Sequence, residues 1–149
     1  MNPSNKDIVV ATWKTFSTRD AARIQACFTE DAVWIAPPRN ATALAVGRGE
    51  INRMNREQIA DFIAHDFGRL FVADVNIEFS GVYGEGDTVV LEQRTRATLA
   101  NGHGYDIDYC FVFKVRDGRV CQMREYMDTL NGFRQIFGEG ALNPVSAVV

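Results

Sequence analysis

Cysteine is scarce in this chain. Cys27, Cys110 and Cys121 are an odd number with no paired spacing, which excludes a disulfide framework. They read as small buried hydrophobes kept reduced, so the expected compartment is the cytoplasm. Histidine is scarcer still: His65 and His103 stand far apart in the sequence, and no metal-ligand spacing emerges from them. Neither a phosphate-cradling glycine loop nor a nucleophile elbow occurs, and no cofactor is implied. Positive charge is not in excess; 16 Lys and Arg oppose 19 Asp and Glu for a net charge of −3. That balance argues against a nucleic-acid partner. Apolar runs all fall short of the roughly 18 residues a membrane span needs. The opening Met1-Asn2-Pro3-Ser4-Asn5-Lys6-Asp7 lacks the charged-then-apolar layout of a secretory leader.

What remains is an ordinary globular composition, 46% hydrophobic and 23% charged in 149 residues, which is enough to bury its own core. The length fits a single domain, 1–149, with a core over about 5–138 and a C-terminal arm over 139–149. The first half carries helical periodicity and the second half alternation. Blocks of that kind predict an α+β domain rather than alternating βαβ units.

Residues 5–16 form a predicted helix with Ile8, Val9, Trp13 and Phe16 on one face. Ser17-Thr18-Arg19-Asp20 caps a second, short helix ending near Phe28. Val33-Trp34-Ile35 is a short strand stopped by Pro37-Pro38. Residues 39–54 show no period and read as a loop at a pocket mouth. Asn55 with Gln58 fits a capping box for a helix over about 56–71. Its stripe is Ile59, Phe62, Ile63, Phe67 and Leu70. Four strands follow, near 74–83, 88–99, 105–116 and 119–128, and a last short helix over about 130–137 ends at Gly138.

Hairpin geometry then predicts a site. The Asp117-Gly118 turn sets Arg116 opposite Arg119, and hence Tyr109 opposite Tyr126, Phe111 opposite Arg124 and Ile107 opposite Asp128. The Asn101–Gly104 turn, read as two or four residues, sets Arg94 opposite Phe111, Arg96 opposite Tyr109 and Glu92 opposite Phe113. All of these would share the face bearing Ile107, Phe113 and Val115. A charge cluster of Glu92, Arg94, Arg96, Arg124 and Asp128 within a covered apolar face is what a polar-floored pocket would look like. A bulge in either hairpin would reverse part of that face. On the 56–71 helix, Asp66 lies about 55° from the centre of the stripe and His65 about 150° away, which favours Asp66 as a pocket residue.

Two segments then carry a family resemblance. Phe28-x-x-Asp31-Ala32-Val33-Trp34-x-x-Pro37 resembles the second-helix-to-first-strand junction of SnoaL-like proteins. The run from Tyr109 to Val120, followed by Met123-Arg124-Glu125-Tyr126-Met127-Asp128-Thr129, resembles their closing hairpin. The resemblance spans about residues 5–138. It implies the nuclear transport factor 2-like fold: a curved mixed or antiparallel sheet wrapped around helices, cone-like, with an internal apolar pocket. The superfamily includes polyketide cyclases, ketosteroid isomerases, limonene-epoxide hydrolases and non-catalytic binders, and its members commonly dimerise through the sheet. Arg94-Thr95-Arg96 is similar to the hydrolases' Arg-x-Asp motif, and Asp128 to the carboxylate of their closing strand. Arg94 and Asp128 match. Arg96 does not, because a cation stands where the hydrolase has a carboxylate; Glu92 is the candidate replacement.

The expectation is therefore an isomerase-, cyclase- or hydrolase-type enzyme acting on a small apolar, cyclic or terpenoid-like molecule. Asp128 would be the general base, with Arg94, Glu92 and Tyr109 completing the catalytic set. Trp34, Phe62, Asp66, Arg96, Phe111 and Tyr126 would bind substrate. The partners expected are that hydrophobic molecule and a second copy of the chain, with no nucleic acid and no membrane. Two rivals stand beside it: a non-catalytic binding module whose arginines hold an anionic ligand, and a dimeric scaffold with no ligand.

Overall fold

The computed structural model describes residues 2–49 and 51–139. Helix α1 (Asn5–Phe16) opens on a capping box in which the Ser4 hydroxyl accepts from the Asp7 amide and Asp7 reaches back to the Ser4 amide. Val9, Thr12 and Phe16 are its buried face. Helix α2 (Ala21–Ala26) is capped by Asp20 and runs into β1 (Phe28–Ile35). A short α3 (Ala41–Ala45), capped by the Asn40 side chain, and a three-residue β2 (Arg53–Asn55) precede the main helical run.

That run comprises α4 (Arg56–Asp61), a π-helical turn (Phe62–Asp66) and α5 (Phe67–Leu70). The predicted Asn55–Gln58 capping box is present, both of its hydrogen bonds measuring 2.9 Å. Four long strands follow: β3 (Phe71–Glu85), β4 (Thr88–Leu99), β5 (Gly104–Arg116) and β6 (Arg119–Met127). Helix α6 (Thr129–Phe137) ends at Gly138. Residues 140–149, most of the expected C-terminal arm, lie outside the described residues.

The strands form one curved, open sheet in the order β2-β1-β6-β5-β4-β3. Every pairing is antiparallel except β1 with β6. The helices cover one face. Strand β5 sends Tyr105, Ile107, Phe111, Phe113 and Val115 into the core from that face, and β4 adds Val89, Leu91, Ala97 and Leu99. Phe28, Trp34, Val120 and Met123 extend the same face across β6 and β1.

Three parts of the architecture depart from the sequence expectation. Residues 39–54 are not all loop, because Asn40 supplies a helix cap and β2 finds its hydrogen bonds on the edge of β1. Strand β1 starts at Phe28, not Val33. Its polar Glu30 and Asp31 mask the alternation, and parallel pairing of Phe28 with Val120, a contact distant in sequence, holds that end. The third difference is the register of both hairpins.

The β4–β5 loop is Ala100-Asn101-Gly102. The Gly102 amide donates to the Leu99 carbonyl and the Leu99 amide to the His103 carbonyl, each at 2.8 Å. Gly102 has φ +85°, a left-handed conformation that closes a three-residue turn cheaply with glycine. An odd loop sets Arg94 opposite Asp108, Arg96 opposite Asp106 and Glu92 opposite Cys110. In the β5–β6 hairpin the tight Asp-Gly turn does pair Arg116 with Arg119. A bulge follows at once: Val115 pairs with Val120 but Lys114 with Gln122, so Cys121 is the extra residue. Beyond it Phe111 faces Glu125 rather than Arg124, and Tyr109 faces Met127 rather than Tyr126.

This register has a direct thermodynamic consequence. Met123 is fully buried, whereas Arg124 is exposed on the far face. In urea titrations Met123→Ala should cost about 2–5 kcal/mol, and Arg124→Ala no more than about 0.5 kcal/mol. Equal costs, or the reverse order, would contradict the bulged register.

Candidate functional site

A cavity of about 420 Å³ lies between α1, the helical run 56–70 and the inner face of the sheet. Its walls are largely aromatic. Trp13 meets Phe16, Phe79 and Phe111 edge-on at 5.0–6.5 Å, and Trp34 meets Phe62 and Phe111 at 5.7 and 6.2 Å. Edge-to-face rings at such separations hold one another in place. Phe67 and Phe71 close the side toward α5.

A few polar groups interrupt this lining: Gln93 and Thr95 from β4, Tyr109 from β5 and Glu125 from β6. The Gln93 amide nitrogen donates to the Thr95 hydroxyl at 3.1 Å, while its Oε1 has no partner. The indole N–H groups of Trp13 and Trp34 are likewise buried without a hydrogen bond. Buried polar atoms are nearly always paired. These three unpaired atoms all belong to residues that line the hollow, although the atoms themselves are covered.

Glu125 is the one carboxyl among the described residues lining the cavity. It keeps part of its surface open, but that surface faces the hollow. Burial without a cationic partner pushes its pKa from 4.5 up to about 7, and the nearby Trp34 indole, which falls short of a hydrogen bond, offsets this only slightly. The Tyr105 and Tyr109 hydroxyls lie 2.5 Å apart. Desolvation is the largest cause raising both phenols, and the charge of Glu125 adds to it in each case. The carboxyl and the tyrosine pair therefore belong to one electrostatic unit.

Of the residues singled out from sequence, Trp34, Phe62, Tyr109 and Phe111 line this cavity. The others do not. Glu92, Arg94 and Arg96 project from the outer face, because the three-residue loop reverses the predicted parity. There Arg94 holds Asp106 in a bidentate pair at 2.6 and 3.0 Å, and Arg96 lies 3.5 Å from Glu78 and from Asp106. Tyr126 is half exposed on the same outer face, reversed by the Cys121 bulge. Asp128 is not a strand residue facing the cavity; it is the exposed N-cap of α6, accepting from the Asn131 amide at 3.0 Å, and with Glu92, Arg94, Arg96 and Tyr126 it lines a shallow groove on the outer face instead. Asp66 is held by Arg48 Nε at 2.6 Å and Arg69 at 3.3 Å, and does not reach the cavity. His65 is exposed.

Glu125, Gln93, Thr95, Tyr105, Trp13 and Arg19 escaped the sequence reading. A signal for Glu125 was available, since it alternates with Met123 and Met127 in a strand whose even positions from Gln122 onward are polar or tyrosine. Only the bulge decides which of those two sets faces inward. Among the described residues there is no group of three or more His, Cys, Asp or Glu side chains able to hold a metal, and no helix is long and apolar enough to cross a membrane.

An open curved sheet with helices on its concave side and a cavity between them defines the nuclear transport factor 2-like class. The family model of the SnoaL-like domain matches residues 9–123, and the chain belongs to that family. Similar solved structures agree with this. A protein of this fold and unknown function from Burkholderia pseudomallei superposes with a TM-score of 0.73 at 21% identity, over 91% of this chain and 99% of its own. A putative SnoaL-like polyketide cyclase from Jannaschia sp. gives 0.71 at 18% identity over 93% and 99%. An epoxide hydrolase of the limonene-epoxide-hydrolase-like type from M. tuberculosis gives 0.66 at 20% over 89% and 88%. At these identities the likeness is one of fold. No curated protein sequence matches the chain.

The raised carboxyl makes a stability prediction with a definite sign. Folded Glu125 keeps its proton to about pH 7, whereas an unfolded glutamate releases it near 4.5. The native state binds more protons between those values, so stability falls as pH rises from about 4.5 to 7 and stays lowered above. Glu125→Gln should remove this dependence and be the more stable protein at pH 8, by on the order of 3 kcal/mol. Thermal melts at pH 5 and pH 8 measure it; a wild type that gains stability over that range relative to the variant would refute it.

Proposed function

We propose that the protein carries out general acid–base chemistry on a small apolar, ring-containing molecule held in the cavity, with Glu125 as the proton-transferring group. One observation carries this reading: a carboxyl with pKa near 7 stands unpaired in an aromatic hollow. A base poised near the working pH combines a useful deprotonated fraction with a strong drive to take a proton. In an isomerase- or cyclase-type reaction, Glu125 takes a proton from carbon beside a carbonyl and returns it elsewhere on the same molecule. The oxygen that gains negative charge needs a donor, and Tyr109 is the nearest candidate in kind. If Tyr109 donates to that oxygen, it can accept in turn from Tyr105, so the pair spreads the developing charge without a buried phenolate. In a hydrolase-type reaction the same carboxyl would activate a water. The water-poor aromatic walls strengthen each of these interactions.

The reading also includes a homodimer through the outer face of the sheet. That face carries a shallow groove lined by residues such as Arg94, Asp108, Cys110 and Tyr126. Its ion pairs are too exposed to stabilise the monomer much, and half-exposed Tyr126 is the kind of aromatic that anchors an interface.

A panel of cyclic ketones, enones and epoxides, assayed with purified protein, tests the chemistry. With any substrate found, Glu125→Gln should lower kcat by about 10²–10⁴-fold while the KM changes little. In the wild type, kcat/KM should rise with pH through about 7 if the carboxylate acts as base. An unimpaired Glu125→Gln enzyme would remove the mechanism. Ligand binding without turnover anywhere in the panel would favour a binding module instead. Sedimentation should show a dimer that Tyr126→Lys weakens at least tenfold; a monomeric wild type would exclude the pairing.

A further inference from the structure

The mouth of the cavity differs chemically from its floor. Lys14, Ser17 and Arg19 line it on one side, all exposed, and Val75 and Ile77 of β3 line it on the other. Neither Lys14 nor Arg19 has a carboxylate partner among the described residues, in contrast to Arg48, Arg94 and Arg116, each of which is paired with one. Two cations thus stand at the lip of an apolar hollow without a carboxylate partner among the described residues.

Arg19 is held there at some cost. Its backbone sits at φ +55°, a left-handed conformation that disfavours non-glycine residues by about 1 kcal/mol or more. The turn that imposes it joins α1 to α2, with the Arg19 amide donating to Phe16. The guanidinium then lies over the Phe67 ring at 4.4 Å and donates through Nη1 to the Ile63 carbonyl at 3.1 Å. Ile63 belongs to the π-helical turn, and its carbonyl takes this donor from outside the helical run. The fixed hydrogen bond and the ring contact use part of the guanidinium. Its remaining N–H groups are available at the opening.

We infer that the ligand is an amphipathic anion: an apolar ring body that fills the cavity, bearing one carboxylate-like group that stays at the mouth and is bound by Arg19 with Lys14. This rests on the reading of the cavity as a ligand site, and it names the class of molecule that site selects. The charged groups at the lip and the carboxyl inside the hollow serve different purposes. The anion of the ligand is steered and oriented by the lip, which delivers the apolar end to Glu125, Tyr109 and Gln93. A planar guanidinium already immobilised against Phe67 gives up little rotamer freedom on binding. The exposed lysine contributes long-range attraction that salt will screen.

Paired probes separate this from the cavity reading itself. The binding of 2-naphthoate and of its neutral isostere 2-naphthamide is measured by calorimetry on the full chain, with a cavity-filling Thr95→Phe variant as control. Naphthoate should bind about tenfold more tightly than naphthamide in the wild type at 50 mM salt. Arg19→Gln should bring that ratio close to one, Lys14→Gln should reduce it about threefold, and Arg19→Lys should keep part of it. Thr95→Phe should abolish the binding of both probes. If naphthamide binds and Thr95→Phe removes it, but naphthoate shows no preference or a preference indifferent to both cations, the cavity stands and the anionic class falls. If neither probe binds, or binding survives Thr95→Phe, both readings fall together. Far-UV circular dichroism and melting of each variant exclude misfolding as the cause of a lost ratio.

Discussion

The row of side chains that β5 sends inward governs the rest of the molecule. Tyr105, Ile107, Tyr109, Phe111, Phe113 and Val115 alternate along the central part of the sheet and meet α1, the long helical run and the inner residues of β4 and β6. Their burial accounts for much of the apolar surface taken from water, which fixes the face on which the helices must lie. Every neighbouring strand then has one decision left: which of its two alternating sets of side chains joins that face. The answer for β4 is set by a three-residue loop and for β6 by one extra residue at Cys121. Two small backbone features thus decide the chemistry of the interior.

Their effect is to sort charge. On the outer face, arginines of β4 find aspartates of β5, and both partners keep contact with water. Desolvation there is small, so such pairs cost little and contribute little. On the inner face the polar residues are sparse and mostly neutral: Gln93, Thr95, and the paired tyrosines. Glu125 is the exception, and no cation among the described residues offsets it. A stable structure gains nothing from a buried, unpaired carboxyl, which either neutralises or weakens the fold. Its presence beside unpaired indole and amide groups is the observation on which the proposed acid–base role rests.

The helical layer completes the enclosure and supplies the entrance. The π-helical turn at Phe62–Asp66 interrupts the run from Arg56 to Leu70. Arg48 ties its outer side through Asp66 and Asp61, while Arg19 engages its inner end through Ile63. The two arginines differ in what they leave over: Arg48 is committed to two carboxylates, and among the described residues Arg19 meets a carbonyl and a ring but no carboxylate. Local geometry thereby turns residues of equal charge into a brace in one place and a free cationic lip in the other.

The amino-acid sequence determined the types of the longer elements, the Asn55–Gln58 capping box, the aromatic character of the walls and the face of β5 that turns inward. Short-range physics settles those: periodicity, side-chain caps and the alternation of a strand rich in large apolar residues. It also determined the family, through the junction after Phe28 and the closing hairpin. Partnership across strands was left to the tertiary structure. Asn101–Gly104 is compatible with loops of even or odd length, and nothing local marks Cys121 as a bulge, because both choices place plausible residues on both faces. Only burial of the whole sheet selects between them. That choice put Arg94, Arg96 and Asp128 in water and Glu125 in the hollow, since a shift of one residue in register exchanges the inside of a strand for its outside.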